Sequence, residues 1–82
     1  MKATVLVRPK HGILDPQGDA VTNSLQHLGF TIAEARVGRV IDLDLGDEHR
    51  EEARAAVERM CEQLLANPLI ESYEIVVHEN GA

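Results

Sequence analysis

The chain has 82 residues, the size of one domain, and a domain this small buries only about 60–65% of the surface that its unfolded form exposes. Fourteen acidic residues against eight basic ones give a net charge of −6, which repels the phosphates of nucleic acids and anionic lipids. No apolar run approaches the roughly 20 residues of a membrane-spanning helix. We therefore expect one domain, residues 1–82, that binds neither nucleic acid nor membrane.

The single cysteine and the N-terminal sequence both indicate the cytoplasm. Cys61 cannot form an internal disulfide, which is typical of proteins in a reducing compartment. The N-terminal sequence MKATVLVRPK has an apolar core too short for a secretion signal and lacks a small-residue cleavage site. A cytoplasmic location is therefore expected.

The first third of the chain predicts a strand followed by a helix. Residues 2–8 alternate between the two faces of a half-buried strand. A helix is predicted to begin at Asp15, a favoured N-cap, with Pro16 at its first position and Gly29 after its last turn. The inward apolar stripe of that helix is expected to contain Val21, Leu25 and Leu28.

Residues 30–45 fit two different assignments. The alternation of apolar residues with aspartates over residues 41–45 indicates a strand, but the alternation slips within residues 32–36, where a bulge or bend is expected. In the alternation of this strand, Arg39 falls on the side that faces the core. That position does not suit a charged side chain unless Gly38 bends the strand there. One bent strand and two separate strands both fit this pattern.

The last part of the chain predicts a second helix and a final strand. The helix is expected over residues 47–66, with Asp47 as its cap and Pro68 just beyond its end. Residues 69–78 alternate again and predict a strand. The inward stripe of the second helix is expected to contain Ala53, Val57, Met60, Cys61 and Leu64.

This order of elements predicts an α+β fold. It is either a two-layer β-α-β-α-β sandwich with a long bent central strand or the ferredoxin-like βαββαβ arrangement, with both helices on one face of the sheet. The other face carries Leu6, Val40 and Val76, each from a different predicted strand. We expect a second copy of the chain to cover these three residues, which gives a homodimer or a tetramer.

Patterns for catalysis and ligand binding are scarce. The four histidines are scattered, and none has the spacing to another His or Cys that metal ligands show. The stretch GILDPQG, residues 12–18, matches neither the phosphate-binding pattern G-x-x-x-x-G-K-[ST] nor the dinucleotide pattern G-x-G-x-x-G. We therefore expect this chain to hold no catalytic residue, bound cofactor or metal.

Gly18 in that stretch is not explained by a helix start alone. A glycine near the third helical position weakens a helix by up to about 1 kcal/mol relative to alanine. Its presence indicates that something approaches the backbone closely, because glycine has no side chain to obstruct the contact. Another subunit, a ligand and the neighbouring strand are the three candidates.

Three longer stretches carry a family resemblance: GILDPQGDAV, ARVGRVIDLDL and MCEQLLANPLIESYEI. In sequence, order and spacing they resemble the signature stretches of the small PurS subunit of phosphoribosylformylglycinamidine synthase. The likeness covers nearly the whole chain, and the combination of the three stretches is specific although each alone is weak. The family usually has lysine where this chain has Arg39.

The resemblance implies a role in de novo purine biosynthesis. A large synthetase subunit of that enzyme uses ATP and magnesium to convert the amide of formylglycinamide ribonucleotide to an amidine, and a glutaminase subunit supplies ammonia from glutamine. The small subunit is implied to be a non-catalytic adaptor that brings the two together and assists ammonia transfer. The residues that we expect to contact these partners are Leu14, Gln17, Gly18, Arg36, Gly38 and Arg39.

Among these candidates, Arg39 is expected to bend out of the core and anchor a partner. Its planar guanidinium binds carboxylates bidentately and stays charged when water is removed.

The main alternative is an amino-acid-binding regulatory module of the ACT type, which shares the βαββαβ order. That module binds its ligand at a turn before the first helix, where glycine follows proline and precedes an apolar pair. In this chain Gly12 and the apolar pair instead precede Asp15 and Pro16. An acylphosphatase-like enzyme fits less well, because the basic sequence RPK after the first strand has too few glycines to wrap an anion.

Overall fold

The computed structural model describes residues 1–47 and 49–78. Three strands and two helices alternate in the order β-α-β-α-β, and the second helix ends in a π-helical turn that we call the π-turn. In chain order the elements are β1 (Lys2–Pro9), α1 (Pro16–His27), β2 (Arg39–Asp44), α2 (Arg50–Met60), the π-turn (Cys61–Leu65) and β3 (Glu71–His78).

The strands form one antiparallel sheet with the order β2-β1-β3, so the first strand of the chain is the central one. Val5 pairs with Ile41 on one side and with Ile75 on the other. The predicted α+β fold and its β-α-β-α-β order are therefore confirmed. Residues 31–38 join no ladder of this sheet, so the region 30–45 contains one strand rather than two. That strand, Arg39–Asp44, has six residues and lies at the edge of the sheet, so the prediction of a long bent central strand was wrong.

The core lies between the sheet and α2. It is small, because alanine and valine provide most of its side chains. The buried hydrophobic residues of the described chain are Ala3, Val5, Val7, Ala53, Val57, Cys61, Ala66 and Ile75. β1 contributes three of them, and α2 packs towards the β3 side of the sheet. β2 contributes none, although Ile41 and Leu43 pack against the cluster from its edge.

The start of the second helix was predicted wrongly. Gly46 adopts a left-handed φ of +68° and donates its N–H to Asp44 Oδ1 over 3.0 Å, so a turn occupies the expected first helical residues. The helix begins at Arg50, and His49 precedes it without a side-chain cap. Asp47 is therefore not the cap.

The end of this helix also departs from the predicted stripe. Ala66 N–H donates to Cys61 O over 3.0 Å, which closes a turn one residue wider than an α-helical one. Leu65 consequently packs against the core, whereas Leu64 is 83% exposed. Met60 is 37% exposed, so two of the five residues predicted to face the core, Met60 and Leu64, lie at the surface.

Helix α1 begins and ends as predicted but does not pack where it was expected to pack. Asp15 is its N-cap, Pro16 its first residue, and Gly29 follows it with a φ of +96°. Its single buried residue is Gly18, and Leu28 is 74% exposed. The predicted placement of both apolar helix faces on the sheet therefore holds for α2 and not for α1.

Candidate functional site

A shallow groove of about 240 Å³ lies at one end of the sheet, and we call it the end groove. It is formed where the loop before α1, the chain entering β2 and the loop before β3 meet. Its lining residues are Pro9, Ile13, Leu14, Asp15, Gln17, Val37, Gly38, Arg39, Ile70 and Glu71. Four of the six predicted partner contacts are thus brought together here, namely Leu14, Gln17, Gly38 and Arg39.

Lys10 holds two of the loops around the end groove together. Its ammonium group donates to Pro68 O over 2.6 Å, and its backbone N–H donates to Ile70 O over 2.9 Å. The apolar side chains of the two loops remain in solvent, since Leu14 is 79% exposed and Leu69 is 84% exposed. An exposed apolar surface whose two loops are joined by hydrogen bonds is suited to contact with another protein.

Arg39 is engaged within the chain. Its Nη1 and Nη2 atoms contact the two carboxylate oxygens of Glu71 at 2.6 and 3.0 Å, and Nη2 also donates to Leu65 O over 2.5 Å. Asn67 N–H donates to the same carboxylate over 2.7 Å. The Arg39 guanidinium lowers the pKa of Glu71, and the carboxylate raises the pKa of Arg39. Arg39 thus lies outside the core, with its side chain 48% exposed, and its guanidinium is already paired within the chain; its contact with a partner stays a prediction.

Asp15 is the second polar hub of the end groove. Its Oδ1 accepts the N–H of Gly18 over 3.0 Å, and its Oδ2 accepts the N–H of Val37 over 3.0 Å. These two hydrogen bonds, that from Val37 first, lower the pKa of the carboxyl. One side chain therefore caps α1 and also ties the helix to the chain that enters β2.

The two glycines among the candidates have structural reasons. A Cβ on Gly18 would lie 2.5 Å from Ala35 O and 2.3 Å from Asp15 Oδ2, so the neighbouring segment is what approaches this backbone. Gly18 is buried and does not lie on a surface that a partner could contact. A Cβ on Gly38 would lie 2.1 Å from Val7 O, which places the bend of the chain against β1.

Arg36, the remaining candidate, lies outside the end groove. Its Nη2 donates to Pro9 O, and its Nε lies 3.6 Å from Glu34 Oε1. Sequence reasoning missed Ile13, Ile70 and Glu71 as lining residues. For Ile70 the sequence did contain a signal. The apolar pair at residues 69–70 directly follows Pro68, which ends the helix, and apolar residues in a turn are often exposed.

The sheet face away from α2 carries the second candidate surface, which we call the outer face and define by Leu6, Val40 and Val76. Leu6 on β1 pairs with Val40 on β2. Val76 on β3 pairs with Thr4, which lies two residues from Leu6 on β1 and therefore on the same face. Val40 is 62% exposed and Val76 36%. The three side chains predicted to share a face therefore do so, in a position where they can be covered together.

Polar groups flank the outer face at both ends. The Thr4 hydroxyl donates to Asp42 Oδ1 over 2.8 Å and lies 3.0 Å from His78 Nε2. At the other end Arg8 and Glu74 form an exposed ion pair at 4.0 Å. An apolar centre with a polar rim is the usual organisation of a protein–protein interface.

The described residues show no constellation for metal binding or nucleophilic catalysis. Among residues 1–47 and 49–78, no three His, Cys, Asp or Glu side chains lie close enough to hold a metal ion. Cys61 is buried, and burial raises the pKa of its thiol, which makes it a packing residue rather than a nucleophile. Neither helix in this part of the chain has the length and apolar character needed to cross a bilayer.

The fold and these two surfaces define a small α+β protein built for contacts with other proteins. A family model, PurS, described as phosphoribosylformylglycinamidine (FGAM) synthase, matches residues 2–79. The chain belongs to this family, which confirms the resemblance seen in its sequence.

Relatives and solved structures agree with this assignment. Phosphoribosylformylglycinamidine synthase subunit PurS of Methanocaldococcus jannaschii is 40% identical over 79 residues, which cover 95% of each chain. The crystal structure of PurS from that organism superposes with a TM-score of 0.83 at 39% identity, again over 95% of each chain. A chain of PurLQS from Thermotoga maritima superposes with a TM-score of 0.82 at 32% identity, over 92% of this chain and 93% of that one.

Proposed function

We propose that this chain is the non-catalytic adaptor of a phosphoribosylformylglycinamidine synthase, bridging the synthetase and glutaminase subunits and assisting ammonia transfer between them. The observation that carries the proposal is its likeness, over 92% of its length, to a chain of PurLQS from Thermotoga maritima. ATP, magnesium and glutamine are then handled by the other subunits. The free, buried Cys61 is compatible with the cytoplasm as the place of action.

The end groove is the proposed contact with a partner subunit. Its apolar rim is held rigidly by Lys10, so little conformational entropy is lost when a partner covers it. Leu14 and Gln17 are its accessible contacts, since both are exposed and neither side chain is engaged by the rest of the described chain. Arg39 and Glu71 shape the floor of the groove instead of reaching outwards.

The test is reconstitution of glutamine-dependent amidine formation from the three subunits. Leu14→Asp is expected to lower that activity about tenfold or more, because a charge replaces an apolar contact at the interface. Leu64→Asp is the matched control, since Leu64 is 83% exposed and does not line the end groove. Ammonium-dependent activity should change less than glutamine-dependent activity if the chain serves ammonia transfer.

Glutamine-dependent activity that is unaffected by omitting this chain would overturn the adaptor role. Turnover by the isolated chain alone would contradict its non-catalytic nature. Co-purification with both other subunits at once, and not with only one, is the result that bridging requires.

The outer face is the proposed site of self-association into a homodimer. Val40→Asp is expected to shift the protein towards monomer in light scattering at micromolar concentration, because an unpaired charge would be buried between the copies. Leu64→Asp again serves as the control. A monomeric mass for the unmodified protein would contradict this part of the proposal.

The ACT-type alternative has no support from the comparisons, since the family match spans residues 2–79. Calorimetric titration of the isolated chain with free amino acids checks it directly. No heat of binding is expected.

A further inference from the structure

A groove of about 400 Å³ lies where the end of β1 meets the chain that enters β2, and we call it the arginine groove. Its lining includes Leu6, Arg8, Pro9, Arg36, Arg39 and Val40. Three of the chain's eight basic residues therefore meet in one place, although the chain as a whole carries a net charge of −6. Of the residues that the structure describes, no aspartate or glutamate lines this groove.

The arginine groove is continuous with the end groove, the proposed contact with a partner subunit. Both are lined by Pro9, Gly38 and Arg39. The two grooves differ in charge, because the end groove contains Asp15 and Glu71 beside its arginine. A partner that covers the apolar rim of the end groove therefore comes next to a cationic surface.

The three arginines are not equally available to a ligand. Arg39 is held by Glu71 at 2.6 and 3.0 Å and by Leu65 O, so its charge is already neutralised within the chain. The Nη1 atom of Arg8, in contrast, lies 4.0 Å from Glu74 Oε1, and these two side chains are 59% and 62% exposed. An exposed ion pair at that distance contributes little stability, so Arg8 can exchange Glu74 for a carboxylate of another protein.

Arg36 is fixed in position but keeps hydrogen-bond donors for a ligand. Its Nη2 donates to Pro9 O, which holds the guanidinium against the end of β1, and its Nε lies 3.6 Å from Glu34 Oε1. A guanidinium carries more N–H donors than these contacts use. Because the Arg36 side chain is only 29% exposed, little conformational freedom is lost when a ligand binds to it.

Apart from the arginines, the lining of the groove is apolar. Leu6 pairs with Val40 across β1 and β2, and Val40 is 62% exposed. Polypeptide with carboxylate side chains between apolar ones matches such a surface. A phosphate group matches it less well, because phosphates are usually bound by backbone N–H groups at a helix N-terminus, and neither described helix contributes to this groove.

We propose that the arginine groove binds an acidic segment of the subunit that covers the end groove, with Arg8 and Arg36 as the contacts to its carboxylates. This inference rests on the proposed function, since it names the chemistry of the partner that the adaptor holds. Arg39 is a structural residue of the groove, because it stays paired with Glu71. The net negative charge of the chain repels an acidic segment elsewhere, so the groove also determines where the partner docks.

A titration of the isolated chain with the synthetic peptide hexaglutamate is the first test. It is carried out at low ionic strength, where charge interactions are least screened, and the arginine Nε–H signals are followed by NMR. We expect the signals of Arg8 and Arg36 to shift and those of Arg54 and Arg59, on α2, to stay unchanged. No shift, or equal shifts of all four signals, would overturn the proposal. Tighter binding of pyrophosphate than of hexaglutamate would also overturn it, since the groove would then belong to a phosphate-bearing ligand.

Charge reversal in the reconstituted three-subunit enzyme is the second test. Arg8→Glu should raise the concentration of chain that gives half-maximal glutamine-dependent activity about tenfold or more, because a repulsive charge replaces an attractive one. Arg54→Glu is the matched control, since it changes the net charge equally and breaks a comparable exposed ion pair, Arg54–Glu58 at 3.8 Å. It should change that concentration less than about twofold. Equal effects of the two variants would overturn the proposal.

The two experiments separate this inference from the proposed function. If the natural chain does not stimulate the other subunits, the adaptor role is wrong, and the hexaglutamate titration still decides whether the groove binds carboxylates. If the natural chain stimulates them and Arg8→Glu behaves like Arg54→Glu, the adaptor role stands and the arginine groove is not the contact. Light scattering and thermal melting should give the same mass and melting temperature for both variants. A loss of fold or a change of mass confined to Arg8→Glu would assign Arg8 to the stability of the chain itself and overturn the proposal.

Discussion

The body of the molecule, meaning its three strands and α2, is stabilised by different interactions from residues 15–37, which comprise the cap of α1, the helix and the segment bonded to it and which we call the arm. The body is held by buried side chains such as Val5, Val57 and Ile75, which exclude water between sheet and helix. The arm is held by hydrogen bonds from helix side chains to backbone, while its apolar residues stay in solvent. A chain of 82 residues can thus place α1 and α2 in very different environments.

The largest expected effect is the difference in stability lost when a buried side chain of the body and an exposed side chain of the arm are shortened. Val57→Ala should lower the free energy of unfolding by about 2 kcal/mol, because it removes two buried methyl groups and leaves a cavity. Val21→Ala should cost less than about 0.5 kcal/mol, because Val21 is 41% exposed. Urea denaturation over a range of protein concentrations checks both. Equal losses at the lowest concentration would show that the arm packs on its own sheet.

The next effect tests how the arm is attached. Gly18→Ala should destabilise the protein by about 1–2 kcal/mol although alanine favours helix, because the new Cβ would collide with Ala35 O. Ala20→Gly, at an exposed position of the same helix, should cost up to about 1 kcal/mol through helix propensity alone. Urea denaturation of the two variants gives the comparison. A gain in stability for Gly18→Ala would mean that the helix does not lie against residues 32–37.

A polar contact of the body comes third. Arg39→Ala should cost about 1 kcal/mol, because Glu71 and Leu65 O lose their donor, and the value is kept low because the Arg39 side chain is 48% exposed. Arg54→Ala is the control, since the Arg54–Glu58 pair at 3.8 Å is exposed on both sides and should contribute less than about 0.5 kcal/mol. Thermal melting measures both. If the two variants melt alike, the Arg39 network does not stabilise the fold.

The smallest expected effect is a difference in acid sensitivity. The pKa of Asp15 is lowered in the folded chain, so its contribution is present above the ordinary carboxyl pKa of about 4 and is lost as the pH falls below that value. Asp15→Asn keeps a side-chain oxygen for the cap but does not titrate. Melting temperatures between about pH 2 and 6 should therefore fall more steeply for the natural protein than for Asp15→Asn. Parallel curves would argue against the double hydrogen bond at Asp15.

Local features were predictable from sequence because neighbouring residues determine them. The N-cap at Asp15, the glycine stop after α1 and the alternation of β1 were found where expected, and β3 begins at Glu71, two residues later than expected. The outer face was also recoverable, since parity alone assigns residues to one side of a strand. The family resemblance, confirmed over residues 2–79, identified the family to which the chain belongs.

The features that sequence reasoning missed depend on contacts between distant residues. Periodicity shows that α1 has an apolar stripe but not which surface covers it. The π-turn moves Leu64 outwards through one extra residue per turn, which no periodic pattern reveals. Likewise, the alternation placed the charged Arg39 on the core-facing side, which indicated that it needs a partner. It did not identify that partner, the Glu71 carboxylate 32 residues later.

The central position of β1 has a consequence for how the chain folds during synthesis. β1 is made first, yet one of its two neighbours in the sheet is the last strand, and the Thr4–His78 contact joins residues 74 apart. Closing so long a loop slows folding, and the core side of β1 stays exposed until the final strand has left the ribosome. The inward residues of β1 are Ala3, Val5 and Val7. Their side chains are small, so the apolar area that β1 exposes on the nascent chain is small.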